Sequence, residues 1–187
     1  MSDIGKSLLT PAPDFNAPLE LLHACHGRIE AQCATLLKLP GYIQSHGVDA
    51  QVQQAATAIM RYFSTAGLHH HEDEEQDLFP LVREHAAASA NGRVLALLDN
   101  LLAQHRDMEA AWNVLQPWLE GLSRGELSEL DASRITAFAA LYQAHIAHEE
   151  QGLLPYCRAA LQPEQLAVLG EQMAHRRGVN WSGDTHV

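Results

Sequence analysis

One pattern of histidine, glutamate and proline occurs twice in this chain, and it limits the fold more than any other feature. The pattern is His-x3-Glu-x3-Leu-x-Pro, and its two copies lie 75 residues apart (145 − 70). The first copy comprises His70, Glu74 and Pro80, and the second comprises His145, Glu149 and Pro155. Residues four apart lie on one face of an α-helix, and a proline bends a helix. The copies therefore predict two helices that bend just past their paired donors and form two walls of one metal site.

Apolar residues at spacings of three and four predict four long helices, each with an inward-facing seam. β-Branched residues are sparse and no stretch alternates with a period of two, so strands are not expected. The predicted helices cover about residues 18–39, 49–88, 94–121 and 131–160, and a short fifth helix runs from Pro163 to Gly178. Asn16 is expected to cap the first helix, and Pro40-Gly41 to end it. Trp112 is expected in the buried seam of the third helix.

These helices predict an all-α fold: an antiparallel up-down-up-down four-helix bundle with a short C-terminal fifth helix. A chain of 187 residues, 47% of them hydrophobic, is long enough for one domain with a full core and short for two. The predicted organisation is an N-terminal arm at 1–15, the bundle at 16–160, and the short helix with a loose tail at 161–187. The repeat corresponds to one helical hairpin, so the bundle is expected to have approximate two-fold symmetry.

Each of the four seams carries one histidine at mid-bundle, and two seams add a glutamate one turn later. The six residues are His26, His70, His105, His145, Glu74 and Glu149. Polar groups left unpaired in an apolar core cost about 1–3 kcal/mol each, and carboxylates cost more. Divalent cations remove this cost and convert it into binding free energy. The alternative is a buried polar network that holds no metal.

The donor set also restricts the kind of metal. Imidazole and carboxylate donors without thiolate suit iron, manganese or zinc, and they are too rich in nitrogen for calcium or magnesium. Four histidines and two glutamates are too many for one tetrahedral zinc, so they divide naturally between two metals bridged by the carboxylates. Ferritin-like di-iron bundles use Glu-x-x-His and are a poor match for the order found here.

Several polar neighbours of these six residues lie off the seams. Glu109 and Glu150 are candidates for an additional carboxylate ligand, and Glu150 is the stronger candidate for a substitute bridge. Tyr142 is expected in the core, with the alternative that its hydroxyl group bonds a diatomic ligand. The residues expected to be solvated, or to support the ligands from behind, are His23, His71, His148 and Glu75.

Taken together, these residues resemble the hemerythrin-like (HHE cation-binding) family. The resemblance covers about residues 16–160 and rests on His26 with Arg28-Ile29, on His105 and on both copies of the repeated pattern. It implies an antiparallel four-helix bundle around a non-haem di-iron centre of the Fe-O-Fe type, with zinc or manganese as substitutes. The implied ligands are His26, His70, Glu74, His105, His145 and Glu149, with both glutamates bridging the irons.

The third helix departs from the oxygen-carrying members of that family. Those members place a second histidine four residues after the first, where this chain has Glu109 or, in the other register, Leu101. The missing histidine leaves more coordination open to water or to a third carboxylate. Reversible oxygen carriage is therefore not the expected function.

Charge and composition exclude several classes of function. The net charge of −11 disfavours a polyanionic partner, so no nucleic acid is expected. No apolar run is long enough to span a membrane, and residues 1–14 do not read as a signal peptide. The three cysteines show no CxxC spacing, which indicates no disulfide framework and no zinc knot. A cytoplasmic protein is expected.

The resulting functional prediction is a metal-binding protein of hemerythrin type. Its expected role is sensing, scavenging or stress protection linked to iron, oxygen or nitric oxide, with O2 or NO as the small ligand. A di-iron oxidase or peroxidase, or an iron donor for cluster repair, is the first alternative. A metal-controlled interaction module is the second. No nucleophile with its base and no phosphate loop is recognisable, so hydrolase or transferase chemistry is not expected.

Overall fold

The computed structural model describes residues 13–126 and 131–181, and all regular structure in these ranges is helical. The elements in chain order are α1 (Pro18–His46), α2 (Ala50–Phe63), α3 (Ala66–Glu72), a first π-helical segment (Asp73–Leu78), α4 (Phe79–Ala88), α5 (Gly92–Ser123), α6 (Ala132–His148), a second π-helical segment (Glu149–Leu153), α7 (Leu154–Ala160) and α8 (Pro163–Arg176). Among these helices, none combines the length and the apolar character that a membrane span requires.

Four long helical arms pack around a common core. They are α1, the run from α2 to α4, α5, and the run from α6 to α7. α5 packs against α2 and α6, and α1 packs against α6 and α2, so each arm has two neighbours. The expected all-helical bundle is confirmed, whereas its up-down-up-down order stays a prediction. The short fifth helix is present as α8.

α1 is longer than expected, because it continues through Pro40 to His46. Proline lacks one backbone N–H, but the apolar contacts of Tyr42 and Ile43 with the core continue beyond it. The helix ends instead at Gly47, whose φ of +74° favours glycine. The expected end at Pro40-Gly41 was therefore wrong.

With the observed length of α1, the two sides of the first hairpin are equally long. Twenty residues separate His26 from His46 (46 − 26), and 20 separate Ala50 from His70 (70 − 50). Equal helical paths on the two sides of the loop place both histidines at one level of the bundle. The cap of α1 also differs from the prediction, because Ala17 occupies the N-cap and the Asn16 N–H bonds the Asp14 side chain.

The second arm is interrupted at Ser64-Thr65, where one continuous helix was expected. The hydroxyl group of Thr65 donates to the Arg61 carbonyl at 2.7 Å, while the Thr65 N–H turns to the Tyr62 carbonyl. The side chain thus takes the acceptor that the backbone would use in a regular helix. This break separates the apolar half of the arm from the half that carries the first copy of the repeated pattern.

Both copies of the pattern contain a π-helical segment directly before their proline. The N–H of Phe79 donates to the Glu74 carbonyl, and the N–H of Leu154 donates to the Glu149 carbonyl, each five residues back. A wider turn relieves the clash between the proline ring and the carbonyl four residues earlier. The distortion therefore begins at Asp73, just before Glu74, in the first copy and at Glu149 in the second, rather than just past the glutamates as expected.

The core consists of two apolar clusters separated by a polar layer. One cluster includes Ile29, Phe63 and Phe138, and the other includes Leu22 and Leu78. On each arm a mid-bundle histidine lies between residues of the two clusters. Trp112 is only half-buried, contrary to expectation, whereas Trp118 one turn and a half later is buried.

α8 packs across the outside of α1 and the first π-helical segment. The contact with the N-terminal region is close, since a Cβ atom at Gly170 would lie 1.9 Å from the Phe15 carbonyl oxygen. Phe15 also meets Trp181 edge to face at 5.5 Å. The rest of the predicted arm, residues 1–12, and the tail at 182–187 lie outside the described residues.

Candidate metal centre

The six residues selected from the sequence meet in the polar layer between the two apolar clusters. Their side chains are all buried, and none is more than 4% exposed. They come from all four arms: His26 on α1, His70 and Glu74 on the second arm, His105 on α5, and His145 and Glu149 on the fourth arm. The bundle therefore brings together residues that lie up to 123 positions apart in the chain (149 − 26).

The four histidines form two pairs, His26 with His70 and His105 with His145, and each glutamate contacts one histidine of each pair. The Oε1 atom of Glu74 lies 3.2 Å from His70 Nε2, and its Oε2 atom lies 3.3 Å from His105 Nε2. The Oε2 atom of Glu149 lies 3.0 Å from His26 Nε2 and 3.4 Å from His145 Nε2. Both carboxylates thus lie between the two pairs of imidazoles.

The donor atoms form two overlapping sets, each close enough to hold one cation. The first set comprises His26, His70, Glu74 and Glu149, and the second comprises Glu74, His105 and His145. Within each set the ligand atoms lie within 4.8 Å of one another. The two sets share Glu74, and Glu149 also approaches His145.

Most of these atoms are close to each other without being hydrogen-bonded. In the part of the chain that the structure describes, all but one of the fully buried side-chain N and O atoms without a hydrogen-bond partner belong to these six residues. They include His26 Nε2, His70 Nε2 and both oxygens of Glu149. Buried nitrogen and oxygen atoms without a hydrogen-bond partner are energetically costly, and a cation at the centre of the cluster would bind to them together. The residues present fit a metal.

Comparison with known proteins agrees with this geometry. Residues 17–157 match the family model of the hemerythrin HHE cation-binding domain, which is most of the chain. The chain belongs to this family. It is also 34% identical over 165 residues to a protein of Haemophilus influenzae that is described only as uncharacterized. That match covers 88% of this chain and 92% of its relative.

In this HHE domain the buried charges strongly perturb one another. Burial raises the pKa of Glu74 well above its usual value, and the charge of Glu149 raises it further. Burial by itself would lower the pKa of His26, but the adjacent Glu149 carboxylate outweighs it and raises this pKa to about 9. Both shifts favour the protonated forms of Glu74 and His26, and a divalent cation would displace these protons.

Two other histidines of the HHE domain are kept neutral by burial. Burial lowers the pKa of His145 to about 4, although the charge of Glu149 opposes this change. Burial also lowers the pKa of His70 well below its usual value, and the neighbouring histidine charges act in the same direction. Neutral imidazole is the form that binds metals, so both rings have the required protonation state.

The outer nitrogens of three of the histidines are held by further side chains. His26 Nδ1 donates to Glu150 at 2.5 Å, His105 Nδ1 donates to Glu75 at 2.6 Å, and His145 Nδ1 donates to the Gln104 side-chain oxygen at 3.2 Å. Such contacts fix the tautomer that directs Nε2 inward.

The two candidates for an additional carboxylate ligand differ in position. Glu109 is exposed to solvent, so the structure does not bring it to the donor cluster. Glu150 contacts the outer face of His26 rather than its inward nitrogen. Neither carboxylate belongs to the two inner donor sets.

His71, which was expected to be solvated or to support a ligand from behind, lies behind His105. Its ring is stacked between His105, at 4.2 Å, and Tyr142, at 5.8 Å, and its enclosed Nε2 atom has no hydrogen-bond partner. Burial lowers the pKa of His71 well below the usual value. Tyr142 itself packs against Phe63 and Phe138, as expected for a core residue.

Asp73 is the residue of the site region that sequence analysis missed. Its side chain is fully buried and accepts hydrogen bonds from Arg176, the last residue of α8, and from Arg177, the C-cap of α8, the latter at 2.6 Å. Arg176 also donates to Asp77 at 2.6 Å. Asp73 lies three residues after His70 and therefore on the same helical face, which was the available signal.

Proposed function

We propose that this HHE domain holds a pair of iron ions. The observation that carries the proposal is the position of Glu74 and Glu149, each of which lies between two histidines of different donor sets. His26 and His70 would hold one ion, His105 and His145 would hold the other, and the two glutamates would bridge them. Nitrogen and oxygen donors without thiolate suit iron, and zinc or manganese are the natural substitutes.

The proposed role is a response to oxygen, nitric oxide or iron itself, in sensing, scavenging or stress protection. When bound, a non-haem iron pair supplies redox chemistry and open positions for a diatomic ligand. α5 supports such open positions, because Glu109 is exposed and Leu101 has no donor atom. The protein contributes dry apolar walls on either side, including Phe63 and Phe79, which limit access of water to the ions. A cytoplasmic location remains part of this proposal.

Metal analysis tests this proposal directly. Protein expressed with iron and purified without added zinc or nickel is expected to contain two irons per chain. Air oxidation is expected to produce the near-ultraviolet absorption of an oxo-bridged pair, and a Glu74→Gln variant is expected to lose at least one ion. One ion per chain, or full occupancy in the variant, would contradict the bridged pair. Steady turnover of peroxide or nitric oxide would instead identify a redox enzyme.

A metal-controlled interaction module is a second candidate, and the contact between α8 and the ligand-bearing turn favours it. Arg176 and Arg177 connect α8 to Asp73, the neighbour of Glu74. A change in metal binding at Glu74 could therefore alter the position of α8 and the surface that it exposes. Size-exclusion chromatography with and without metal is the test. Association that depends on metal would support the module, whereas identical elution and no binding partner in either state would remove it.

A further inference from the structure

A second cluster of possible ligands lies on the outer side of His26. It consists of His23, Glu150 and His26, whose donor atoms lie within 4.8 Å of one another. The Oε1 atom of Glu150 lies 2.8 Å from His23 Nδ1 and 2.5 Å from His26 Nδ1. Taking the proposed di-iron function as given, we propose that His23 and Glu150 form a landing site at which cations bind before they reach the inner donors.

The exposure of these three side chains decreases stepwise toward the interior. The side chain of His23 is 64% exposed, that of Glu150 is 27% exposed, and that of His26 is 3% exposed. Glu149, on the inward side of His26, is 1% exposed. The four side chains therefore form a continuous series of donors from solvent to the centre of the bundle.

A cation needs such a series because it arrives hydrated. Removing its water molecules in a dry apolar core is costly unless protein donors replace them one at a time. The inner donors are buried and cannot meet the hydrated ion at the surface. His23 and the Glu150 carboxylate can, since both reach solvent and both present atoms that bind iron. Glu150 carries the negative charge that attracts the ion.

The opposite end of the donor cluster, at His105, lacks the second histidine of this arrangement. His105 has an outer carboxylate, Glu75, at 2.6 Å, in the same way that His26 has Glu150. Three residues before His26 lies His23, but three residues before His105 lies Leu102, which has no donor atom. The proposed landing site is therefore complete only at the His26 end. The His105 end, which lacks the second histidine, serves as the internal comparison.

The kinetics of metal uptake test this proposal. Metal-free protein is mixed with Co(II), whose ligand-field absorption reports binding inside the protein, and with Fe(II) under anaerobic conditions. His23→Leu, which copies Leu102, is expected to slow uptake about tenfold while the final stoichiometry and the melting temperature stay the same. The converse variant Leu102→His is expected to accelerate uptake. His46→Leu, on the same helix but remote from the site, is the matched control and is expected to bind at the wild-type rate.

The possible outcomes separate the landing site from the proposed function. If wild-type protein binds no more than one ion, the di-iron proposal fails whatever the rates are. If it binds two ions and His23→Leu takes them up at the wild-type rate, the landing site fails alone. Lower final stoichiometry in His23→Leu would make His23 a permanent ligand and would also overturn the transient role. Slower uptake in His46→Leu would overturn it as well, because the effect would then belong to any surface histidine.

Discussion

The two copies of the repeated pattern carry the same ligands but rest in different surroundings. Asp73, next to Glu74 in the first copy, is fully buried and bonded to two arginines at the C-terminal end of α8. The equivalent residue of the second copy is His148 (73 + 75), which is exposed and contacts Gln104 at 3.0 Å. The comparison teaches that the pattern determines which atoms face inward, whereas the support behind them is supplied separately by other helices.

The two copies also differ in which of their residues is hydrogen-bonded by another helix. In the second copy, Gln104 accepts a hydrogen bond from the outer nitrogen of His145. In the first copy, the outer nitrogen of His70 is buried and has no hydrogen-bond partner among the described residues. The first copy is thus held through the side chain of Asp73, and the second copy is held through the imidazole of His145.

The largest effect expected from this difference is on stability. Asp73→Asn leaves two arginines facing a neutral amide in a buried site, and breaking a buried ion pair from one side costs about 3–5 kcal/mol. His148→Asn, at the equivalent exposed position, is expected to change the free energy of unfolding by no more than about 0.5 kcal/mol. Urea unfolding of both variants measures the difference. Equal losses in the two variants would show that the contact of α8 with Asp73 does not distinguish the copies.

The pH dependence of the metal-free protein should show a second contrast, between His26 and His145. The pKa of His26 is raised to about 9, so its stabilising contribution is complete below pH 6.5 and is lost as the pH rises through 9. The pKa of His145 is lowered to about 4, so the unfolded chain binds more protons between pH 6.5 and 4 and stability falls as the pH drops through that range. Each loss is on the order of 3 kcal/mol.

The stabilising contributions of His26 and His145 together are therefore largest near pH 6.5, and chemical unfolding of metal-free protein between pH 4.5 and 9 measures this profile. His26→Gln should reduce the alkaline loss, and His145→Gln should reduce the acid loss, part of which remains because burial also lowers the pKa of His70 and His71. Metal should also remove the alkaline loss, because a metal-bound His26 no longer depends on a proton for its stabilising contacts. A flat profile for metal-free wild type would show that neither the Glu149 carboxylate beside His26 nor the burial of His145 shifts these pKa values as the structure indicates.

Much of this arrangement is readable from local spacing alone. The seams placed one histidine, His26, His70, His105 or His145, on the inward face of each arm, because residues three and four apart share a helical face wherever the helix is regular. The equal level of His26 and His70 became clear only with the observed length of α1. The same reasoning placed Glu74 and Glu149 beside them. The structure brings all six together, and their role as metal ligands stays a prediction until metal is measured.

The features that spacing did not reveal depend on interactions that are distant in the chain. Asp73 is bonded to Arg177, 104 positions away, and no periodicity connects them. The continuation of α1 through Pro40 depends on core contacts that outweigh one missing hydrogen bond. The π-helical segments follow from the prolines, but their onset at Asp73 and at Glu149 reflects how the ring clash is distributed over a turn.

The smallest expected effect concerns His71 and its equivalent in the second copy, Ile146 (71 + 75). His71→Ile removes an enclosed nitrogen without a partner, worth about 1–3 kcal/mol, but loses ring stacking on His105, worth about 0.5–1.5 kcal/mol. The net expectation is a gain of about 1 kcal/mol in metal-free protein. Ile146→His should lose about 1–3 kcal/mol, since it buries a polar ring among apolar residues.

Metal content decides what this last contrast means. The nitrogens of His71 belong to neither donor set, so His71→Ile is expected to bind as much metal as wild type. A stability gain with full metal content would identify the ring as a tolerated polar group that stacks behind His105. A loss of one ion would instead show that His71 supplies the nitrogen donor that α5 lacks. The two copies would then differ in the number of their ligands as well as in their supports.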